Sequence, residues 1–187
     1  LNRSIGTWAG WPGANDWTEY RGTQEDSTGD CSRLTYLLWE SIVSFSERTL
    51  AVHLLLNRAS QWANVLSHVP YTGRVDIEAR RGLDSVRLRL PEWVGGAAVN
   101  CSVARGGGCG GTGGKAACAV AVEGRYAVAT PEPALRPGDC LTFRFPAGPL
   151  HNFTEVIGGQ EFNFQAKGST VLDVSPKSGR AVSRDAG

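Results

Sequence analysis

A chain of 187 residues, 41% of them apolar, can bury a core but cannot build many domains, so it fits one large domain or one domain plus a piece of another. Its 19 basic and 18 acidic residues leave a formal charge of +1 without a basic block, which argues against nucleic acid or an anionic membrane as partner. No run approaches the roughly 20 apolar residues that cross a bilayer, and no charged segment followed by an apolar one opens the chain. The sequence contains no methionine and Leu1 opens in mid-loop, so a fragment of a longer protein is expected.

From Leu1 to Thr28 the chain is aromatic and turn-rich, with Trp8, Trp11, Trp17 and Tyr20 set among Gly6, Gly10, Pro12, Gly13, Asn15 and Asp16. Flat rings beside short polar groups suit a carbohydrate site, with Trp11 and Trp17 stacking on a sugar and Asn15 and Asp16 holding hydroxyls. Tryptophans packed onto a neighbouring domain would give the same composition. Gly29-Asp30-Cys31 follows. Ser32 then serves as a candidate N-cap for a helix of about four turns, with Leu34, Leu37, Leu38, Ile42 and Phe45 on one face and Ser46-Glu47-Arg48 as its exit. A thiol just ahead of a helix feels the positive dipole end, which favours thiolate and makes Cys31 the candidate for chemistry; an ordinary buried thiol is the competing reading. Glu40 lies on the same helix, where a glutamate is most often a solvated or capping group.

Beyond Arg48 the period becomes that of strands. Thr49 to Leu56, Gly73 to Arg80, Ser85 to Leu90, Cys118 to Glu123, Tyr126 to Thr130, Leu141 to Phe145, Glu161 to Gln165 and Thr170 to Val174 are short runs between turn residues, as in a sandwich or barrel. Pro137-Gly138-Asp139 marks a turn and Gly158-Gly159 a hairpin. The glycine-rich stretch from Arg105 to Lys115 reads as a flexible tip between strands, because it lacks a phosphate-loop lysine and a following helix. The five cysteines, Cys31, Cys101, Cys109, Cys118 and Cys140, are odd in number and lack a C-x-x-C pair, so neither a complete disulfide framework nor a zinc knuckle is indicated. His53, His68 and His151 lack ligand spacing and read as structural or exposed. Beyond Pro176 the polar tail is expected to fray.

Several segments together resemble the β-L-arabinofuranosidases of glycoside hydrolase family 127 and their relatives. These are Ser4-Ile-Gly-Thr-Trp-Ala-Gly-Trp11 with Asn15-Asp16-Trp17, Gly29-Asp30-Cys31 with Tyr36-Leu-Leu-Trp-Glu40, and Asn57-Arg-Ala-Ser-Gln-Trp62. Pro70-Tyr-Thr-Gly-Arg-Val75, Arg87-Leu-Arg-Leu-Pro-Glu-Trp-Val94, Arg136-Pro-Gly-Asp139 and Lys167-Gly-Ser-Thr-Val-Leu-Asp-Val-Ser-Pro176 follow in the family's order. The resemblance implies a mainly β fold: a β-sandwich over 49–176, preceded by the last loop and helix (1–48) of an (α/α)6 barrel and followed by a tail at 177–187. It further implies that the rest of the barrel is a missing partner and that the substrate is a carbohydrate. A zinc-held cysteine is the proposed nucleophile of the family's retaining mechanism, with a glutamate upstream as acid/base, and Cys31 takes that position as nucleophile and metal ligand. Where the family has two adjacent cysteines, Cys31 stands alone, so the second thiolate ligand is missing. The fragment by itself is therefore expected to bind no zinc and cleave no glycoside, and a non-catalytic, carbohydrate-binding or structural sandwich with a decayed cysteine motif is the alternative.

Overall fold

The computed structural model describes residues 25–95, 98–111 and 114–177. One helix, α1 (Glu25–Glu40), leads into β1 (Val43–Ser46), β2 (Thr49–Val52), β3 (Arg58–Ala59), β4 (Ala63–Ser67), β5 (Arg74–Ala79), β6 (Ser85–Arg89) and β7 (Asn100–Ala104). The strands β8 (Lys115–Cys118), β9 (Val120–Glu123), β10 (Tyr126–Ala129), β11 (Cys140–Arg144), β12 (Leu150–Ile157), β13 (Gln160–Lys167) and β14 (Thr170–Ser175) complete the described fold. The protein is mainly β, and its described helix is too short and polar to cross a membrane.

The helix lies earlier than the apolar spacing suggests. It begins at Glu25, which puts Ser32 inside it and not at the cap, and it stops at Glu40. Ile42-Val43 then starts a strand, because β-branched residues followed by the alternation Ser44-Phe45-Ser46 pair better than they coil. β1 runs antiparallel to β2 with Val43 opposite Val52 and Ser46 opposite Thr49. Glu47 and Arg48 make the turn at φ 48° and 61°, a left-handed pair whose twist suits a two-residue hairpin. Arg48 holds this non-glycine turn in place: its guanidinium forks onto Asp84 at 2.7 and 2.8 Å, and its carbonyl accepts the Asp84 N–H.

Residues Leu38–Gly148 form one compact unit. In it a five-stranded sheet, ordered β1-β2-β6-β10-β9, closes against a six-stranded sheet, ordered β3-β4-β5-β11-β7-β8. Neighbours are antiparallel except β2 and β6, which run parallel. Alternate residues of both sheets meet in a single core: Leu50, Val52, Val86, Leu88, Ala127 and Ala129 from the first, Val65, Val75, Ile77, Val103, Leu141 and Phe143 from the second. That shared core makes the unit a β-sandwich. Ile42 and Phe45, expected on a helix face, pack with it.

Four of the five cysteines are paired, Cys101 with Cys118 and Cys109 with Cys140, at Cα separations of 5.3 and 5.0 Å. The odd count had concealed this framework, since Cys31 is the one left over. The first bond joins register partners on β7 and β8. The second pins the glycine-rich stretch, as do the bonds from Gly108 N–H to the Gly138 carbonyl and from Gly106 N–H to Asp139. Where the sequence suggests a flexible tip, Gly106, Gly108 and Cys109 are fastened at the Pro137-Gly138-Asp139 turn and the start of β11.

The other unit comprises Leu1–Leu37 with Pro149–Gly187, of which residues 25–37 and 149–177 are described. Its β12, β13 and β14 form an antiparallel three-stranded sheet. Gly158 and Gly159 make the β12–β13 hairpin at φ 62° and 79°, as the Gly-Gly pair predicts.

Candidate functional site

Cys31 lies on α1, past its first turn, and its thiol is half-buried and unpaired. The helix therefore does not present its N-terminal N–H groups to the sulfur, because the dipole's effect is confined to the first turn. The placement does keep the thiol out of the disulfides and within reach of solvent. Thr35, one turn on, donates its hydroxyl to the Cys31 carbonyl at 2.8 Å. Trp11, Asn15, Asp16 and Trp17, the candidate sugar-binding residues, lie outside the described residues. Among those described, no three His, Cys, Asp or Glu side chains converge to hold a metal ion. A catalytic zinc takes about three protein ligands, and the described residues bring no such set together, so by themselves they do not fit zinc.

The C-terminal end of α1 is tied down by Arg58, which precedes β4 on the neighbouring β3. Its guanidinium sits over the Trp39 ring, 4.1 Å from the ring centre, and donates to the Trp39 and Glu40 carbonyls. A cation on the last carbonyls complements both their unmade hydrogen bonds and the negative end of the helix. Glu40 thus ends the helix and contributes its carbonyl to this cap.

Beside this cap opens a cleft of about 840 Å³. The stacked Phe45 and Trp62 rings, 5.5 Å apart, and Leu54 give it an apolar side. Ser44, His53, Arg89 and Tyr126 give it a polar one. His53 bridges two hydroxyls there: Ser44 Oγ lies 2.8 Å from its Nε2, and Tyr126 OH lies 2.8 Å from its Nδ1. Burial, then the charges of Arg89 and Arg87, push the imidazole below its ordinary pKa. His53 was expected to be structural or exposed; nothing in its sequence neighbourhood marks this pairing.

Two buried carboxylates serve the sandwich. Desolvation pushes Asp76 up, but hydrogen bonds from Arg74, Thr142 and His68 outweigh it and hold the carboxyl below its ordinary range. At Asp139 desolvation is likewise outweighed, by the N–H groups of Arg136 and Gly106 and by Arg105. Each carboxylate accepts bonds from residues far apart in sequence, which is the work of a fastening and leaves little lone-pair capacity for chemistry.

No family model matches this chain, and no curated protein matches it. Among solved structures it is similar to a GH127 β-L-arabinofuranosidase from Geobacillus stearothermophilus T6, with 17% identity and a TM-score of 0.46 over 77% of this chain and 23% of that one. It is also similar to a second GH127 β-arabinofuranosidase, with 12% identity and a TM-score of 0.40 over 70% of this chain and 23% of that one. The chain thus spans about a quarter of the length of the glycoside hydrolases that it matches in structure.

Proposed function

We propose that this chain is the C-terminal part of a retaining glycoside hydrolase that acts on non-reducing-end β-L-arabinofuranosides or a related sugar. The observation that carries the reading is the helix α1. It bears the one unpaired thiol, Cys31, and exposes Leu34, Tyr36, Leu37, Leu38 and Trp39 to solvent, each by more than 40%. Leu34 and Leu38, one turn apart, share a face of the helix, and an exposed apolar face calls for a covering partner, which in this reading is the barrel domain. In this reading Cys31 Sγ attacks the anomeric carbon and the aglycone departs with a proton from an acid outside the chain. Water then releases the sugar from sulfur, so that the configuration is retained. In this reading the acid/base is supplied from upstream of the chain, and the isolated chain is expected to cleave no glycoside.

A non-catalytic sandwich is the second reading, favoured by the single cysteine where the family has a pair. Hydrolysis of an aryl β-L-arabinofuranoside by the complete protein separates the two. Turnover that Cys31→Ala abolishes supports the proposal. Turnover that the substitution leaves intact removes Cys31 from the mechanism, and absence of turnover favours the sandwich without catalysis.

A further inference from the structure

We propose that Ser44 is a second nucleophile, activated by His53 and oriented through Tyr126, and that the cleft around it accepts carboxylic esters. This site lies on the outer face of the five-stranded sheet and is independent of Cys31.

The geometry is that of an activated hydroxyl. A serine is a weak nucleophile unless a base stands within hydrogen-bond reach and a third group fixes the base. Ser44 Oγ stands 2.8 Å from His53 Nε2, and His53 Nδ1 stands 2.8 Å from Tyr126 OH. With Nδ1–H donated to the Tyr126 oxygen, Nε2 keeps its lone pair toward the serine. Each member comes from a different element: Ser44 from β1, His53 from the end of β2 and Tyr126 from β10. The register explains the convergence. Strands β2 and β10 both flank β6, with Val52 opposite Leu88 and Tyr126 opposite Arg89, so the row through His53 and Tyr126 crosses the sheet at one level. Across the hairpin Ser44 stands opposite Ala51, two residues from the His53 level, and reaches the imidazole diagonally, while the His53 N–H to Ile42 carbonyl bond, 2.8 Å, extends the pairing past the end of β2.

Ser44 is exposed, as a nucleophile that must meet substrate has to be. The cleft's volume suits a small organic ligand, and the Phe45–Trp62 pair offers it an apolar wall. Arg89, which lines the cleft beside Tyr126, is the cation for the developing oxyanion. In the acylation step the Ser44 Oγ–carbon bond forms and the ester carbon–oxygen bond breaks. The serine proton passes to His53 and leaves on the alcohol. Water, deprotonated by His53, then releases the carboxylic acid and restores Ser44. Burial, then Arg89 and Arg87 on β6, act on the charge of His53; the other titratable groups around the cleft are Tyr126 on β10, Glu40 and Arg58 on its rim, and Glu123 on β9, which lies 3.8 Å from Arg87. The lowered imidazole pKa keeps the base neutral, and so competent, at neutral pH.

The test is covalent trapping on the full chain with diethyl 4-nitrophenyl phosphate, followed by peptide mapping, alongside the burst of 4-nitrophenolate from 4-nitrophenyl acetate. One adduct per chain on Ser44 is expected, absent in Ser44→Ala and slowed about 100-fold or more in His53→Gln. Tyr126→Phe is expected to lower the pH at which the burst reaches half its rate, since it removes the oxygen that accepts the Nδ1–H and with it a contact that favours the protonated imidazole. Circular dichroism of each variant establishes that it is folded. An adduct on any other residue, or equal reaction in folded Ser44→Ala and wild type, overturns the proposal.

Discussion

Arg105 donates to the carboxylate of Asp139 at 2.9 Å across 34 residues of sequence, and the same carboxylate accepts the N–H groups of Gly106 and Arg136. One buried aspartate thereby fastens the glycine-rich loop to the turn before β11. Asp139→Ala leaves these donors without their acceptor and is expected to cost about 2–4 kcal/mol. Urea unfolding gives the loss, and faster amide exchange at Gly106 places it in the loop.

Asp76 predicts how the sandwich responds to acid. Its folded-state pKa is held below the unfolded value, so its contribution is present above the ordinary carboxylate pKa, about 3.9, and is lost as pH falls toward the folded value. Asp76→Asn keeps an oxygen for the Thr142 hydroxyl but surrenders the charge facing Arg74. At pH 7 the variant is expected to be less stable by about 1–3 kcal/mol, and the gap should narrow below pH 4. Urea midpoints for both proteins across that range measure it, and a constant gap would count against the ion pair as its source.

Gly73 sits where the Pro70 to Val75 segment runs against the start of the strand end at Phe145. A Cβ there would lie 1.9 Å from the Phe145 carbonyl oxygen, a backbone atom that cannot swing aside. Gly73→Ala is expected to destabilise by about 3 kcal/mol or more. Gly95→Ala, where a Cβ meets nothing, is the control and should stay within about 0.5 kcal/mol. Thermal melts of the two variants decide between close packing and backbone freedom.

The disulfides leave a chemical signature. Iodoacetamide added to the folded, unreduced chain is expected to label Cys31 alone, because the other four cysteines are paired. After reduction all five should label, and the melting temperature should fall, since each cross-link restricts the unfolded chain by about 3–4 kcal/mol for loops of this length. Labelling of Cys109 or Cys140 before reduction would contradict the pairing.

Strands that alternate strictly were legible in the sequence. Ser85 to Leu90 and Gly73 to Arg80 hold β6 and β5 with boundaries shifted by a residue, because Val86 and Leu88, or Val75 and Ile77, fall on one buried face. β4 and β7 escaped notice, although Ala63 and Val65 alternate around Asn64: a short run with small or polar residues gives a weak period. Ile42 and Phe45 continued a helical spacing by coincidence, and tertiary pairing with β2 decided otherwise. That misreading also hid Ser44, since on a helix it would not have faced His53. Tyr126, 73 residues from His53, becomes its neighbour only through sheet order, which local pattern does not specify. Cys31 stood out in the sequence as the candidate thiol, while its position within the helix depended on where α1 begins.

Read along the chain, the bonded cysteines run Cys101, Cys109, Cys118, Cys140, and the bonds join the first to the third and the second to the fourth. The two covalent loops therefore interlock instead of sitting side by side or nested. A chain cut between Cys118 and Cys140 would keep one bond but turn Cys109 into an orphan thiol at the tip of a glycine-rich loop, open to oxidation and to dimerisation. Any excised version of the sandwich, for crystallisation or for grafting, has to run through β11 to be chemically closed.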